Sequence, residues 1–261
     1  MRENARPPEV PDRLERQEGD ISPEFFDLQL KFADAVQTKS GLLMESTLRD
    51  YTNLRQRFFG AANPRAREEA ETIWQKYVEG LNTHKNRLDW TYQSYLRLRR
   101  QGELSQWDNM FGCFTFHLRE DGGIQVHFEN KDAKGGGPLS AGNIDKRLAD
   151  LKAMFTLIKE QCPNAKYVHG ESWLYNLDAY KRLFPESYTR NPEPQRGNFT
   201  HGRRWGQFLD SDGDLKKDGA DTLLKNMEKE EITLGNLADA FPLQPLVVRG
   251  DIQDFYRMYG V

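Results

Sequence analysis

Cysteine is scarce in this chain of 261 residues, no apolar run is long enough to cross a bilayer, and neither sign of charge dominates. A membrane span needs roughly 18 or more apolar residues in a row. None occurs, and Met1-Arg2-Glu3-Asn4 runs into charge and proline rather than a signal-peptide core. These absences predict a cytoplasmic protein without a membrane partner. Cys113 and Cys162 have neither CxxC nor histidine spacing around them, so two reduced thiols are expected rather than a disulfide or a zinc site. Lys and Arg number 37 against 40 Asp and Glu, a net charge of −3, and residues 1–105 hold 17 of each sign. Nucleic-acid binding needs a basic excess, so that class is disfavoured. A small-molecule substrate is expected, and a protein partner stays open.

What is present is a globular composition, 37% hydrophobic and 11% aromatic. Residues 1–20, with Pro7, Pro8 and Pro11 among alternating charges, have no apolar period and read as a mobile arm. Ser22-Pro23-Glu24 then gives an N-cap, a first-turn proline and a first-turn acid, followed by the apolar face Phe25, Leu28, Leu30, Phe32 and Val36, up to Gly41. Helical spacing continues over 43–59, 64–81 and 87–100, which predicts a helical subdomain over 21–105. From Met110 the apolar period falls to two. Phe114, Phe116 and Leu118, the turn Asp121-Gly122-Gly123, and Ile124, Val126 and Phe128 spell a β-hairpin. A glycine-rich loop, Ser140 as N-cap, a long amphipathic helix and a strand over 165–171 complete a β-loop-α-β unit. A helix over 177–184, a strand over 204–209, a helix over 218–230, a strand over 243–249 and a short closing helix follow. The predicted class is α+β, an N-terminal helical layer followed by a mixed β-sheet domain with helices over 106–261.

Chemistry is expected at two places. Lys134, Gly135, Gly136, Gly137 and Ser140 precede the long helix, where free backbone amides and the helix dipole suit a phosphate, although neither a Walker sequence nor G-x-G-x-x-G is present. With Val126 and Val168 turned to the long helix, the pleat sends His127, Glu129, Tyr167, His169 and Glu171 to the other face, with His117 diagonal to His127. Such neighbours suit general acid and base work, and equally the polar face of any half-solvated sheet. No metal is expected there. Glu171-Ser172 lies at the carboxyl end of a strand, where open α/β sheets place ligands. Asp210-Ser211-Asp212-Gly213-Asp214 looks like a calcium loop but has Leu215 where that loop needs glycine, so an Asx/Gly turn is expected. The arginines from Arg97 to Arg100 and at 196, 203 and 204 are read as a solvated face before a phosphate stripe.

The order strand, glycine-bearing loop, helix, strand and tyrosine-bearing helix over 124–184 resembles the acyl-CoA-binding half of the GNAT N-acyltransferase superfamily. The segments Gly137-Pro138-Leu139-Ser140, Ser172-Trp173-Leu174 and Trp205-Gly206-Gln207-Phe208 are similar to those of bacterial GNAT-like proteins. This resemblance implies a GNAT-like fold for the C-terminal region. It also implies acyl-CoA as cofactor, its pyrophosphate on the loop amides and its pantetheine threaded between two splayed strands. Glu171 or Glu129 then matches the base that deprotonates an amine, with Ser172 beside it, and Tyr180 matches the acid that protonates the leaving thiolate. The loop departs from the family's Gln or Arg, x-x-Gly-x-Gly or Ala signature. The implied function is acyl transfer from CoA to a small amine or amino-acid-like acceptor; the alternative is an accessory protein that keeps the scaffold without catalysis.

Overall fold

The computed structural model describes residues 13–60, 67–101, 109–130 and 137–261. It is a mixed α+β fold, and no described helix is long and apolar enough to cross a membrane. Five helices come first: α1 (Pro23–Ser40), α2 (Met44–Tyr51), α3 (Leu54–Phe59), α4 (Arg67–Thr83) and α5 (Arg87–Arg100). The expected helix over 43–59 is two, broken at Thr52 and Asn53. Proline at the first turn of α1 and Gly41 in the left-handed region at its end act as the sequence predicts, but the Ser22 hydroxyl caps no amide.

Of the expected mobile arm, residues 1–12 lie outside the described residues, and 13–20 are docked on α5. Leu14 donates to Gln93 Oε1 at 2.9 Å and accepts from its Nε2 at 3.0 Å. Asp20, 1% exposed, takes Arg99 at 2.6 Å and Arg100 at 2.5 Å. Those two arginines satisfy a carboxylate and a loop, which is why the basic run at the end of α5 is no free stripe.

The sheet runs β1-β2-β3-β5-β4, with β1 (Phe114–Leu118), β2 (Ile124–Phe128), β3 (Tyr167–Ser172), β4 (Glu193–Pro194) and β5 (Leu246–Asp251). Neighbours are antiparallel except β2 and β3, which are parallel. They are joined by α6 (Ile144–Gln161), so the expected strand, helix and parallel strand follow in that order, while residues 131–136 of the loop lie outside the described residues. Short helices α7 (Asp178–Lys181) and α8 (Glu186–Thr189) follow β3, and α11 (Ile252–Tyr259) closes the chain. The strand expected over 204–209 is instead α9 (Gly202–Trp205) and a 3-10 turn (Gly206–Phe208). Trp205 and Phe208 both enter the core at a spacing of three, a helical spacing that an alternating reading misses. Helix α10 (Lys217–Met227) follows.

Two cores result. One lies on the α6 side of the sheet and joins Ile124, Val126, Val168 and Val248 to Leu151, Phe155 and the aromatic residues of α11. The other fills the helical unit, and residues far along the chain complete it. Trp205 stands edge-on to Phe25, Phe32 and Phe241 at 6.4, 5.2 and 5.4 Å, and Phe208, Leu223 and Met227 join them. Residues between Trp205 and Phe241 thus share their packing with the first half of the chain.

Candidate functional site

Register fixes which side chains share the outer face of the sheet. His127 lies opposite Thr115, so His117 is diagonal to it; Gln125 pairs with His169, and His169 with Arg249. The two imidazoles meet as the alternation predicts, His117 Nδ1 to His127 Nε2 at 2.8 Å, with rings stacked at 4.9 Å. Burial, then the neighbouring His117 and Arg203, pulls His127 down to about 4. Burial likewise lowers His169, on which the cations Arg119, Arg203 and Arg249 also act, and lowers His117 and His201. Near neutral pH these imidazoles are uncharged and can accept or donate only as neutral groups. The face carries no group of three or more His, Cys, Asp or Glu able to hold a metal, among the described residues.

Glu171 points to this face two residues beyond His169. Its side chain is 10% exposed; Oε2 accepts from Arg203 Nη1, while Oε1 is buried without a hydrogen-bond partner. An orphaned carboxylate oxygen is costly, since a buried acceptor without a donor loses its hydration for nothing in return. Arg203 reaches across from α9, whose Trp205 is rooted in the helical core. The ion pair thus joins the two cores. Sequence reading treated Arg203 as part of a solvated stripe and missed it, because only the helical form of 202–205 turns Arg203 to the sheet while Trp205 is buried. Glu129 follows β2 on the same face, and its charge acts on Arg57 of α3.

The other expected residues lie elsewhere. Gly170 faces the α6 core, and a Cβ there would meet the Tyr175 and Tyr188 hydroxyls at 2.0 and 2.3 Å. Tyr180 belongs to this aromatic group, wholly inside the core, its ring 5.6 Å from Phe128 and 5.1 Å from Tyr175. Burial pushes its phenol far up, so it is protonated at neutral pH. Glu171 and Tyr180 are therefore on opposite faces of β3. Between β2 and β3, however, the ladder has only the pairs Ile124 with Val168 and Gln125 with His169, although both strands run on to Phe128 and Ser172. The ladder ends after two pairs, and beyond it Glu171 lies on the outer face while Phe128 and Tyr180 meet on the α6 side.

Ser172 uses its hydroxyl oxygen to accept from the Leu174 amide at 3.1 Å, which caps the following 3-10 turn. Lys134, Gly135 and Gly136 lie outside the described residues. Gly137 has a φ of 88°, its carbonyl accepts from the Ser140 amide and from Asn143 Nδ2, and Arg182 Nη2 donates to the Leu139 carbonyl at 3.1 Å. Ser140 does not cap α6, which begins four residues later after a 3-10 turn. Asp210 accepts from the Asp212 and Asp214 amides at 2.8 and 2.9 Å, the Asx geometry that was expected. Neither Cys113 nor Cys162 forms a disulfide with a described residue, and buried Cys113 accepts from Arg147 of α6.

Comparison with protein-family models, with curated proteins and with solved structures returns no match for this chain.

Proposed function

We propose that the protein is an acyl-CoA-dependent N-acyltransferase with a GNAT-like C-terminal region, acting in the cytoplasm on a small amine. The observation that carries this reading is the end of the ladder between the parallel strands β2 and β3 after two pairs, with a buried, half-satisfied Glu171 beyond it. The acyl-CoA superfamily resemblance implies pantetheine between two such strands. On this reading a thioester threaded between the strands has Glu171 toward one face and Tyr180 toward the other. The acceptor nitrogen attacks the thioester carbonyl, the C–N bond forms as the C–S bond breaks, Glu171 Oε1 receives the proton leaving nitrogen, and Tyr180 donates one to the departing thiolate. Residues 137–143 ahead of α6 then face the pyrophosphate.

Titration calorimetry with CoA and acetyl-CoA tests the reading. Binding by the full chain is expected, and a chain that binds neither at millimolar concentration is no acyltransferase. With an acceptor in hand, Glu171→Gln and Tyr180→Phe should each lower kcat about a hundredfold, the usual scale of general acid or base catalysis, with donor Kd nearly unchanged. A second reading, an accessory protein without catalysis, is favoured by one observation, the Arg203 contact that engages Glu171 Oε2.

A further inference from the structure

The Glu171 and Arg203 pair is a built electrostatic site with both ends incompletely used. Glu171 is nine-tenths buried and leaves Oε1 without a donor; Arg203 is 30% exposed and gives only Nη1 to Glu171, with no other hydrogen bond from its guanidinium to the described residues. A guanidinium carries five N–H groups in a rigid fork, so several remain for a ligand. Negative charge near this face comes from Glu129, whose charge acts on Arg57, and from Asp121, which acts on His169 and is engaged by Arg119. His127 and His169 are neutral imidazoles on the same face, and Arg204, which follows in α9, also acts on Glu171 through its charge.

Consider what this pair accepts. A simple ammonium is attracted to Glu171 but meets Arg203 one hydrogen bond away on the same carboxylate, with Arg204 behind it. A simple anion is attracted to Arg203 and repelled by Glu171. A ligand carrying both charges lies antiparallel to the ion pair, so that all four charges alternate, the orphaned Oε1 gains a donor and the spare N–H groups gain acceptors. We propose that this site takes a primary amine that also bears an oxyanion, with its nitrogen on Glu171 Oε1 and its oxyanion on Arg203. The recognition stands on this geometry alone and rests on the acyltransferase reading only for what is afterwards done to the nitrogen. Arg203 thereby selects the acceptor rather than merely tying two cores together.

The test is a thermal-shift and calorimetric screen of the full chain, without acyl-CoA. One arm contains the twenty L-amino acids, another O-phosphoethanolamine, and the third the matching amines that lack the anion, such as ethylamine, phenethylamine and ethanolamine. At least one carboxylate or phosphate compound should bind ten times or more tighter than its parent amine, and the two arms tell which oxyanion is preferred. Arg203→Gln should erase the preference, and Arg203→Lys, which keeps charge without the fork, should retain part of it. Equal binding of amines and their anionic counterparts, a preference that survives in Arg203→Gln, or no binding in any arm overturns the proposal. Should Arg203→Gln not fold, the wild-type comparison of paired ligands still decides. Because CoA titration is separate, CoA binding with no amino-compound binding sinks this inference alone, and the converse sinks the acyltransferase reading alone.

Discussion

His127 shows how one side chain links the sheet's register to pH. Its neighbours on the outer face are an imidazole at 2.8 Å and the charge of Arg203, and burial adds the largest share of the shift to about 4, from an ordinary 6.5. The folded protein therefore holds fewer protons at this position than the unfolded chain does once pH falls below about 6.5. Stability attached to His127 is complete above that value, falls as pH drops, and is gone below about 4. Partial exposure to solvent reduces the effect to on the order of 2 kcal/mol. Denaturant midpoints at pH 7, 5.5 and 4.5 should fall more steeply for wild type than for His127→Gln, since carboxylate titration is common to both. Parallel curves would mean that the imidazole is as well hydrated folded as unfolded. This pair was legible in the sequence because a strand's period of two fixes diagonals across a hairpin. The partner of Glu171 was not, because a contact between residues 32 positions apart depends on where α9 is anchored.

Among elements, β3 is where sequence and packing agree most closely. Alternation placed Val168 toward α6 and His169 and Glu171 away from it, and the structure has them so. The same alternation hid the role of Gly170, whose missing side chain admits the Tyr175 and Tyr188 hydroxyls, 2.9 Å apart, against the strand. Nothing in a single sequence says that a strand glycine is a close approach rather than a bulge. Gly170→Ala should cost about 2–4 kcal/mol, because buried phenols held by each other and by the core have nowhere to retreat. Gly142, in the turn before α6, has open space and an ordinary φ, so Gly142→Ala should stay within about 0.5 kcal/mol. Equal denaturant midpoints for the two variants would show that the tyrosine pair gives way readily. Elements read least well were those whose apolar residues serve two purposes. Trp205 and Phe208 satisfy a short helical turn, while the intervening Gly206 lets the Trp173 indole come within 3.1 Å of its Cβ position.

At the scale of the whole molecule, the order of elements was legible and their grouping into cores was not. Helical periods over 23–100 and strand periods over 114–128 mark a real change in local structure, so a boundary near residue 105 follows from pattern alone. Core membership instead depends on which distant apolar groups cover the face each helix leaves open, and that information is not periodic. The Phe25 and Phe32 faces of α1 are covered by Trp205 and Phe241, and α10 packs on the same helix. A fragment of residues 13–101 therefore lacks one wall of its own core. Burial of Trp205 and Phe208, each worth roughly 2–3 kcal/mol or more when an aromatic side chain leaves water, is lost together with the rest of that wall. Such a deficit is comparable to the whole stability of a small domain, roughly 5–15 kcal/mol. The isolated fragment should thus show helical circular dichroism without a cooperative thermal transition, whereas the full chain unfolds cooperatively. Adding residues 199–241 in trans, or joined by a flexible linker, should restore the transition. A fragment of 13–101 that melts as sharply as the full chain would mean that α1 closes its core without Trp205, and that the second core, with the Glu171 and Arg203 pair at its edge, is free to move independently of it.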